Sequence, residues 1–193
     1  MNWMKLAALA AMTLPVFAAE YKIDTNHTKA AFSVRHLMVS NVRGEFSKVS
    51  GTIEYDEKNP AATKITATID ASTVNTSEPK RDDHLRSPDF FDIAKFPGMS
   101  FQSTSAKKTA DGLAVTGDLT IHGVTRQVTL NVDGPSPEIK DPYGMLRRGA
   151  SATAKINRKD FGLVWNKALE AGGVAVGDEV SITIDVEATR SAK

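Results

Sequence analysis

The chain has no cysteine in its 193 residues, which removes disulfides, thiolate nucleophiles and cysteine-bound metals from consideration. Its stability must therefore come from a packed core. Charge of one sign is also missing: 24 Lys and Arg stand against 23 Asp and Glu, a formal net charge of +1. That balance argues against a nucleic-acid partner or a polybasic membrane patch. No GxSxG, HExxH, P-loop or dinucleotide glycine fingerprint occurs in the sequence. The four histidines, His27, His36, His84 and His122, are scattered without metal-ligand spacing. Nothing in this inventory supplies catalytic machinery, a metal centre or a covalent cofactor, so the residues favour a protein that is not an enzyme.

Long hydrophobic runs are scarce as well, and the one that occurs is at the start. Met1–Lys5 carries a single positive charge, Leu6–Phe17 is almost wholly apolar, and Val16-Phe17-Ala18 offers small or modest residues at a cleavage site. This is the three-part layout of a secretory signal peptide, too short for a stable membrane anchor. Residues 1–18 are read as the signal peptide, with cleavage after Ala18, and 19–193 as one domain. The apolar run is not followed by cysteine, which excludes a lipoprotein anchor. Removing Lys5 with the leader leaves 24 − 1 = 23 basic against 23 acidic residues, so the exported chain is neutral.

What the sequence does have is period-two alternation. Phe32, Val34, His36 and Met38 share one face, as do Ile65, Ala67, Ile69 and Ala71, and Met99 with Phe101. Leu113, Val115, Leu119 and Ile121 continue the pattern, followed by Val124, Val128, Leu130 and Val132, then Val180, Ile182, Ile184 and Val186. Alternation of this kind marks antiparallel strands with one dry face. Val42, Gly44 and Phe46 are even-numbered whereas Val49, Ile53 and Tyr55 are odd, which predicts a bulge near Lys48-Val49. His122-Gly123 fits a two-residue hairpin turn with positive φ. The expected fold is all-β: an antiparallel barrel of about eight strands with one or two short helices between strands. Ala150, Ala152 and Ala154, with Ala67 and Ala71, leave inward volume for a slender ligand. Phenylalanines and leucines could equally fill that space, and the alanines leave both readings open.

The stretch Arg81–Asp92, RDDHLRSPDFFD, breaks the alternation. Ser77 is placed as a helix cap ahead of Pro79, and Ser87-Pro88 repeats the signal ahead of Phe90-Phe91. Asp82-Asp83-His84 reads as a solvated helix face. Lys80, Arg81 and Arg86 supply cations, and Phe90, Phe91 and Phe96 supply aromatics that would plug a barrel mouth. Such a connector suits an elongated apolar ligand with a polar or anionic head.

The segments HLRSPDFFD, FPGMSFQS and GDLTIHGVT, with the opening YKIDTNHTKAAFSVRH and the later INRKDFGL and GDEVSITIDVEA, strongly resemble the YceI family of periplasmic polyisoprenoid-binding proteins. The resemblance covers nearly the whole exported chain in order. It implies a lipocalin-like barrel with an elongated channel for an isoprenoid quinone, a polyprenyl phosphate or a similar long-chain lipid or amide. It also implies a periplasmic location and is compatible with a homodimer. By motif position the channel lining comprises Phe32, His36, Phe46, Phe90, Phe91, Phe101, Leu119 and Trp165, with Arg81 and His84 on the connector as further ligand contacts. The Asp24-Thr25-Asn26-His27-Thr28 run departs from the family pattern, which argues against a head-group role there. Two other classes stay in view: an enzyme acting on isoprenoids or quinones, with His36 and Asp82 as its acid–base candidates, and a stress-response interaction protein.

Overall fold

In the computed structural model, which describes residues 18–170 and 172–192, strands are the main regular structure. Of the predicted signal peptide, residues 1–18, the first seventeen lie outside that range and Ala18 is the first described residue. Twelve strands form one sheet. They are β1 (Ala19–Ile23), β2 (Lys29–His36), β3 (Ser40–Phe46), β4 (Val49–Tyr55), β5 (Lys64–Asp70), β6 (Val74–Asn75), β7 (Gly98–Lys108), β8 (Gly112–Ile121), β9 (Val124–Asp133), β10 (Ile139–Lys140), β11 (Met145–Asn157) and β12 (Val176–Ser191). Among the described residues one α-helix, α1 (Pro79–Arg86), precedes β7.

Register reduces these pieces to eight staves. β1 and β2 lie end to end along one edge of β12, β3 and β4 lie end to end along β2 and β1, and β6 continues β5 alongside β3. The remaining staves are β7, β8, β9 (continued along β11 by the two-residue β10), β11 and β12, each paired antiparallel with its predecessor. β12 pairs β11 along one edge and β1–β2 along the other, so the barrel closes with its staves in chain order. Closure leaves no long open sheet edge.

The parity change at residues 46–49 is real, but its form differs from the predicted bulge. Phe46 and Val49 are both buried, and the strand is broken between them at Ser47-Lys48. Most of the extra chain sits in the neighbouring staves. From Lys22 to Lys29 the first stave advances seven residues while β12 advances four, from Thr189 to Asp185. From Ile69 to Val74 the third advances five while its partner advances three, from Val49 to Phe46. Aligned breaks in three adjacent staves bend the wall there, as a single bulge would on a smaller scale. The His122-Gly123 hairpin is as expected, with φ of 51° and 73°.

The connector differs more from its reading. Glu78, not Ser77, caps α1: its carboxylate accepts from the Lys80 and Arg81 amides, with Pro79 following at the first helical position. Ser77 instead turns the chain with φ of 62°. Ser87-Pro88 starts no second helix. The Ser87 hydroxyl donates back to the His84 carbonyl, closing α1, and the Ser87 carbonyl accepts from the Phe90 and Asp92 amides in a tight turn. A turn also serves packing, because Phe90 and Phe91 both reach the barrel interior. Successive residues of a helix would point about 100° apart. Asp82 is not solvated: it is 7% exposed, and one carboxylate oxygen accepts from both the amide and the hydroxyl of Thr76.

Candidate functional site

Inward side chains from all eight staves enclose an elongated cavity of about 260 Å³ with an apolar wall. Its lining runs from Tyr21, Tyr55 and Arg148 at the end where β1 starts, past Ala67, Phe101, Leu130, Ala150 and Ala152, to Phe46, Phe91 and Leu163 under the connector. Two of the aromatic rings on the wall pack closely against glycines. A Cβ on Gly44 would stand 2.5 Å from Phe32 Cζ, and one on Gly117 would stand 2.5 Å from Phe101 Cζ. Each ring thus occupies the place of a missing side chain on the wall and leaves the bore clear. That geometry favours the ligand-space reading of the alanines over the filled-core one. Ala67, Ala150 and Ala152 line the bore, while Ala71 and Ala154 are buried in the surrounding core.

Of the side chains named from the sequence, Phe32, Phe46, Phe90, Phe91, Phe101 and Leu119 stand on the cavity wall. Phe46 joins Phe32 at 5.7 Å and meets Phe91 edge-on at 5.4 Å, forming one aromatic group below the connector. His84 and Trp165 are not on the wall. They stack behind Phe90, with His84 5.0 Å from Phe90 and 4.8 Å from Trp165, and act as its outer support. His36 also misses the bore; it is the last residue of β2, paired with Ser40 where the strand turns into β3. Phe96 packs on His122 at 4.7 Å, outside the cavity.

The connector cations are occupied elsewhere. Arg81 Nε donates to Thr76 Oγ1 at 2.8 Å, and its Nη2 donates to the Thr76 carbonyl at 2.9 Å. Arg86 donates to the carbonyls of Ser72 and Val74 at 2.9 and 2.8 Å. Both forks serve backbone carbonyls just before, within and just after the two-residue β6, which pairs with β3 alone. The head-group assignment of Arg81 is thereby corrected: it holds the connector onto the barrel. The acid–base reading of Asp82 and His36 fails for a similar reason, since Asp82 is consumed by Thr76 and neither residue reaches the bore.

Sequence reasoning missed both ends of β11. Arg148 and Arg158 have the same parity as Ala150, Ala152 and Ala154, and both line the cavity. Extending the alanine stripe one step back reaches Arg148, and two steps forward, past Ile156, reaches Arg158. Arg158 is 3% exposed, and burial pulls its pKa down from the ordinary guanidinium value. On the outer side of the same region, Arg147 gathers Asp24 at 2.7 Å, Glu187 at 2.5 Å and Asp141 at 3.3 Å. Asp24, His27 and Glu187 also converge in a way that could suit a cation, but the Arg147 guanidinium already donates to both carboxylates.

The Arg147 hydrogen bond, reinforced by His27 and opposed by burial, holds the Asp24 carboxyl at about 2. Because that lies below its unfolded value, the pair stabilises the fold fully above about pH 4 and loses that contribution as pH falls toward 2. We expect Arg147→Met to cost about 1–2 kcal/mol at pH 6 after allowance for solvent screening. In urea denaturation the gap to the unsubstituted protein should narrow as pH approaches 2; a constant gap would rule out this linkage.

Residues 21–188 match the YceI-like domain. The protein YceI of Salmonella newport is 42% identical over 184 residues, covering 94% of this chain and 93% of its own. Among solved structures, a Campylobacter jejuni YCEI protein superposes with a TM-score of 0.67 at 29% identity, covering 98% of this chain and all of that one. Burkholderia cenocepacia BcnA superposes at 0.71 with 23% identity over 86% of this chain and 98% of its own. A polyisoprenoid binding domain from Saccharophagus degradans superposes at 0.63 with 18% identity over 87% of this chain and 97% of its own, a likeness of fold. The domain match spans the barrel from β1 into β12, and the chain belongs to the YceI-like family.

Proposed function

We propose that this protein binds a long-chain isoprenoid lipid in the barrel bore and carries or stores it in the periplasm. The observation that carries the reading is the apolar cavity of about 260 Å³, with phenylalanines packed against glycines on its wall. At the usual penalty for unfilled apolar volume, a bore of 260 Å³ with nothing in it forgoes about 6 kcal/mol. That is comparable with the whole stability of an ordinary domain. An apolar chain recovers it, each buried methylene contributing about 0.8 kcal/mol. The Saccharophagus degradans neighbour, described as a polyisoprenoid binding domain, supports the ligand class. The leader-like residues 1–18 support export, and β1 begins at Ala19, so cleavage after Ala18 leaves every stave intact.

Organic extraction of the purified protein followed by mass spectrometry tests this. The expected result is a stoichiometric isoprenoid in the extract of folded protein. Protein that purifies without lipid and takes up none from polyprenyl-lipid dispersions would refute the proposal.

A further inference from the structure

We infer that the connector end of the barrel docks on an anionic phospholipid surface. The β2–β3 hairpin tip, Leu37-Met38-Val39, and Val164 insert among the headgroups, and Arg35 and Lys167 meet the lipid phosphates. The inference concerns the outer surface of the protein and is independent of what fills the bore.

The hairpin tip is costly in two ways that nothing inside the fold offsets. The Val39 amide donates to the His36 carbonyl at 3.0 Å, and Leu37 and Met38 between them have φ of 49° and 61°. Asn-Gly suits such a turn best, and apolar residues with a Cβ adopt positive φ there only with strain. Leu37, Met38 and Val39 are also 40%, 50% and 75% exposed, and Val164 is 64% exposed. The Leu37 amide donates to the Ala175 carbonyl, and the Ala175 amide donates to the Lys167 carbonyl, which ties the tip to the chain that follows Val164. Trp165, beside Val164, stacks on His84 and Phe90 of the connector. Four of the six large apolar side chains exposed among the described residues therefore stand at this one end. Strain and exposure together mark the tip as built for contact outside the molecule.

Charge selects the kind of surface. From Ser33 to Gly44 and from Gly162 to Leu169 the chain carries Arg35, Arg43 and Lys167 and no carboxylate. Arg35 donates to the Met38 carbonyl at 3.0 Å, which holds its charge at the tip. Carboxylates flanking these stretches are already taken, Glu45 by Lys29 and Asp178 by Arg158 and Lys159. Glu170, just past the second stretch, offsets one of the three cations. The exposed pair at the opposite mouth, Ile139 and Tyr143, instead has Glu138 and Asp141 next to it in sequence. Four side chains around a hairpin tip fall well short of the about 800 Å² that each partner buries in a stable protein interface. An apolar tip at headgroup depth and cations on the phosphates suffice together for reversible membrane attachment, where either signal alone is marginal. Trp165, half-buried at the same level, matches the preference of tryptophan for the membrane interface.

Cosedimentation with vesicles tests this, using the chain from Ala19 onward, which contains every stave and lacks the apolar leader. Vesicles of phosphatidylglycerol and phosphatidylethanolamine are compared with vesicles of phosphatidylcholine. The protein should bind the anionic vesicles about tenfold or more tightly, and high salt should remove the difference. Leu37→Asn combined with Met38→Gly should weaken binding about tenfold or more, with Tm unchanged or raised because Asn-Gly is the preferred pair for this turn. Arg35→Gln combined with Lys167→Gln should weaken binding to the anionic vesicles about fivefold and leave phosphatidylcholine unaffected. Trp165, the only tryptophan after the leader, should become protected from an aqueous quencher when anionic vesicles are added. Failure to sediment with anionic vesicles, an unaffected hairpin variant, equal binding to phosphatidylcholine, or binding that leaves Trp165 open to the quencher would each overturn the inference. So would a dimer that the hairpin substitutions convert to monomer, since the tip would then be a contact between copies. Should the hairpin variant not fold, Val164→Ser, expected to weaken binding about threefold, and the Trp165 signal carry the test.

Discussion

Ala152→Phe is expected to abolish lipid retention while making the lipid-free barrel more stable. Ala152 lies on the bore wall in the middle of β11, 6% exposed, with Ile184 beside it on β12 and Val132 on β9. A benzyl group there projects into the cavity where the bore is lined by alanines, so a chain threaded from either mouth stops at mid-length. Each methylene left outside forfeits about 0.8 kcal/mol, and losing about six of them weakens binding more than a thousandfold. The same ring fills volume that the lipid-free protein leaves unused, a gain of about 2 kcal/mol at the usual cavity coefficient. Opposite signs for binding and stability distinguish a ligand channel from an ordinary core position, where overpacking costs stability and nothing else changes. Mass spectrometry of the extract and thermal unfolding after delipidation read the two effects. Retained lipid would contradict the channel. If the variant loses both lipid and stability, Ala150→Leu, a smaller insertion one step along the stripe, separates misfit from blockage: it should lower lipid content without destabilising the apo protein.

The barrel was legible in the sequence because its signal is local. Inward residues recur every second position, so Ile182, Ile184 and Val186 or Leu113 and Val115 announce their face without knowledge of their neighbours. The family resemblance placed Phe32, Phe46, Phe101 and Leu119 on the wall by motif position, in keeping with their strand parity, and placed the pair Phe90-Phe91 with them. It failed at His36, where parity is right but the stave has run out, and at Trp165 and His84, which support Phe90 from outside. The connector was opaque for a different reason. Arg81, Asp82 and Arg86 have the composition of a solvated helix, yet their partners are Thr76 and the carbonyls of Ser72 and Val74. Those groups need side-chain partners because the two-residue β6 pairs with β3 alone, a fact of register invisible in hydropathy. The aligned breaks at residues 24–28, 47–48 and 71–73 are likewise a property of three staves together.

Arg158→Met should be the most damaging single substitution for the fold, and its effect should reach the ligand through the plug it holds. The guanidinium is 3% exposed and binds four backbone carbonyls from the segment 163–177 in addition to Asp178. This segment has little regular structure of its own, so a side chain takes the place of a ladder. Methionine approximates the volume but donates nothing, and the stranded carbonyls make the cost on the order of 4 kcal/mol. For a domain of this size that corresponds to a fall in Tm of roughly 10 °C or more. Lysine keeps the charge but replaces a five-donor fork with a point donor, so Arg158→Lys should recover only part of the loss. Leu163 lines the cavity and accepts directly from Arg158, so loosening this segment opens the connector end of the bore. We therefore expect bound lipid to exchange faster in both variants, in the same order as their stability losses. Hydrogen exchange should show the opening confined to 158–177 in Arg158→Lys, with the β7–β9 amides still protected. A Tm within about 3 °C of the unsubstituted protein for Arg158→Met would mean that water satisfies these carbonyls and that the plug is held by its apolar contacts alone.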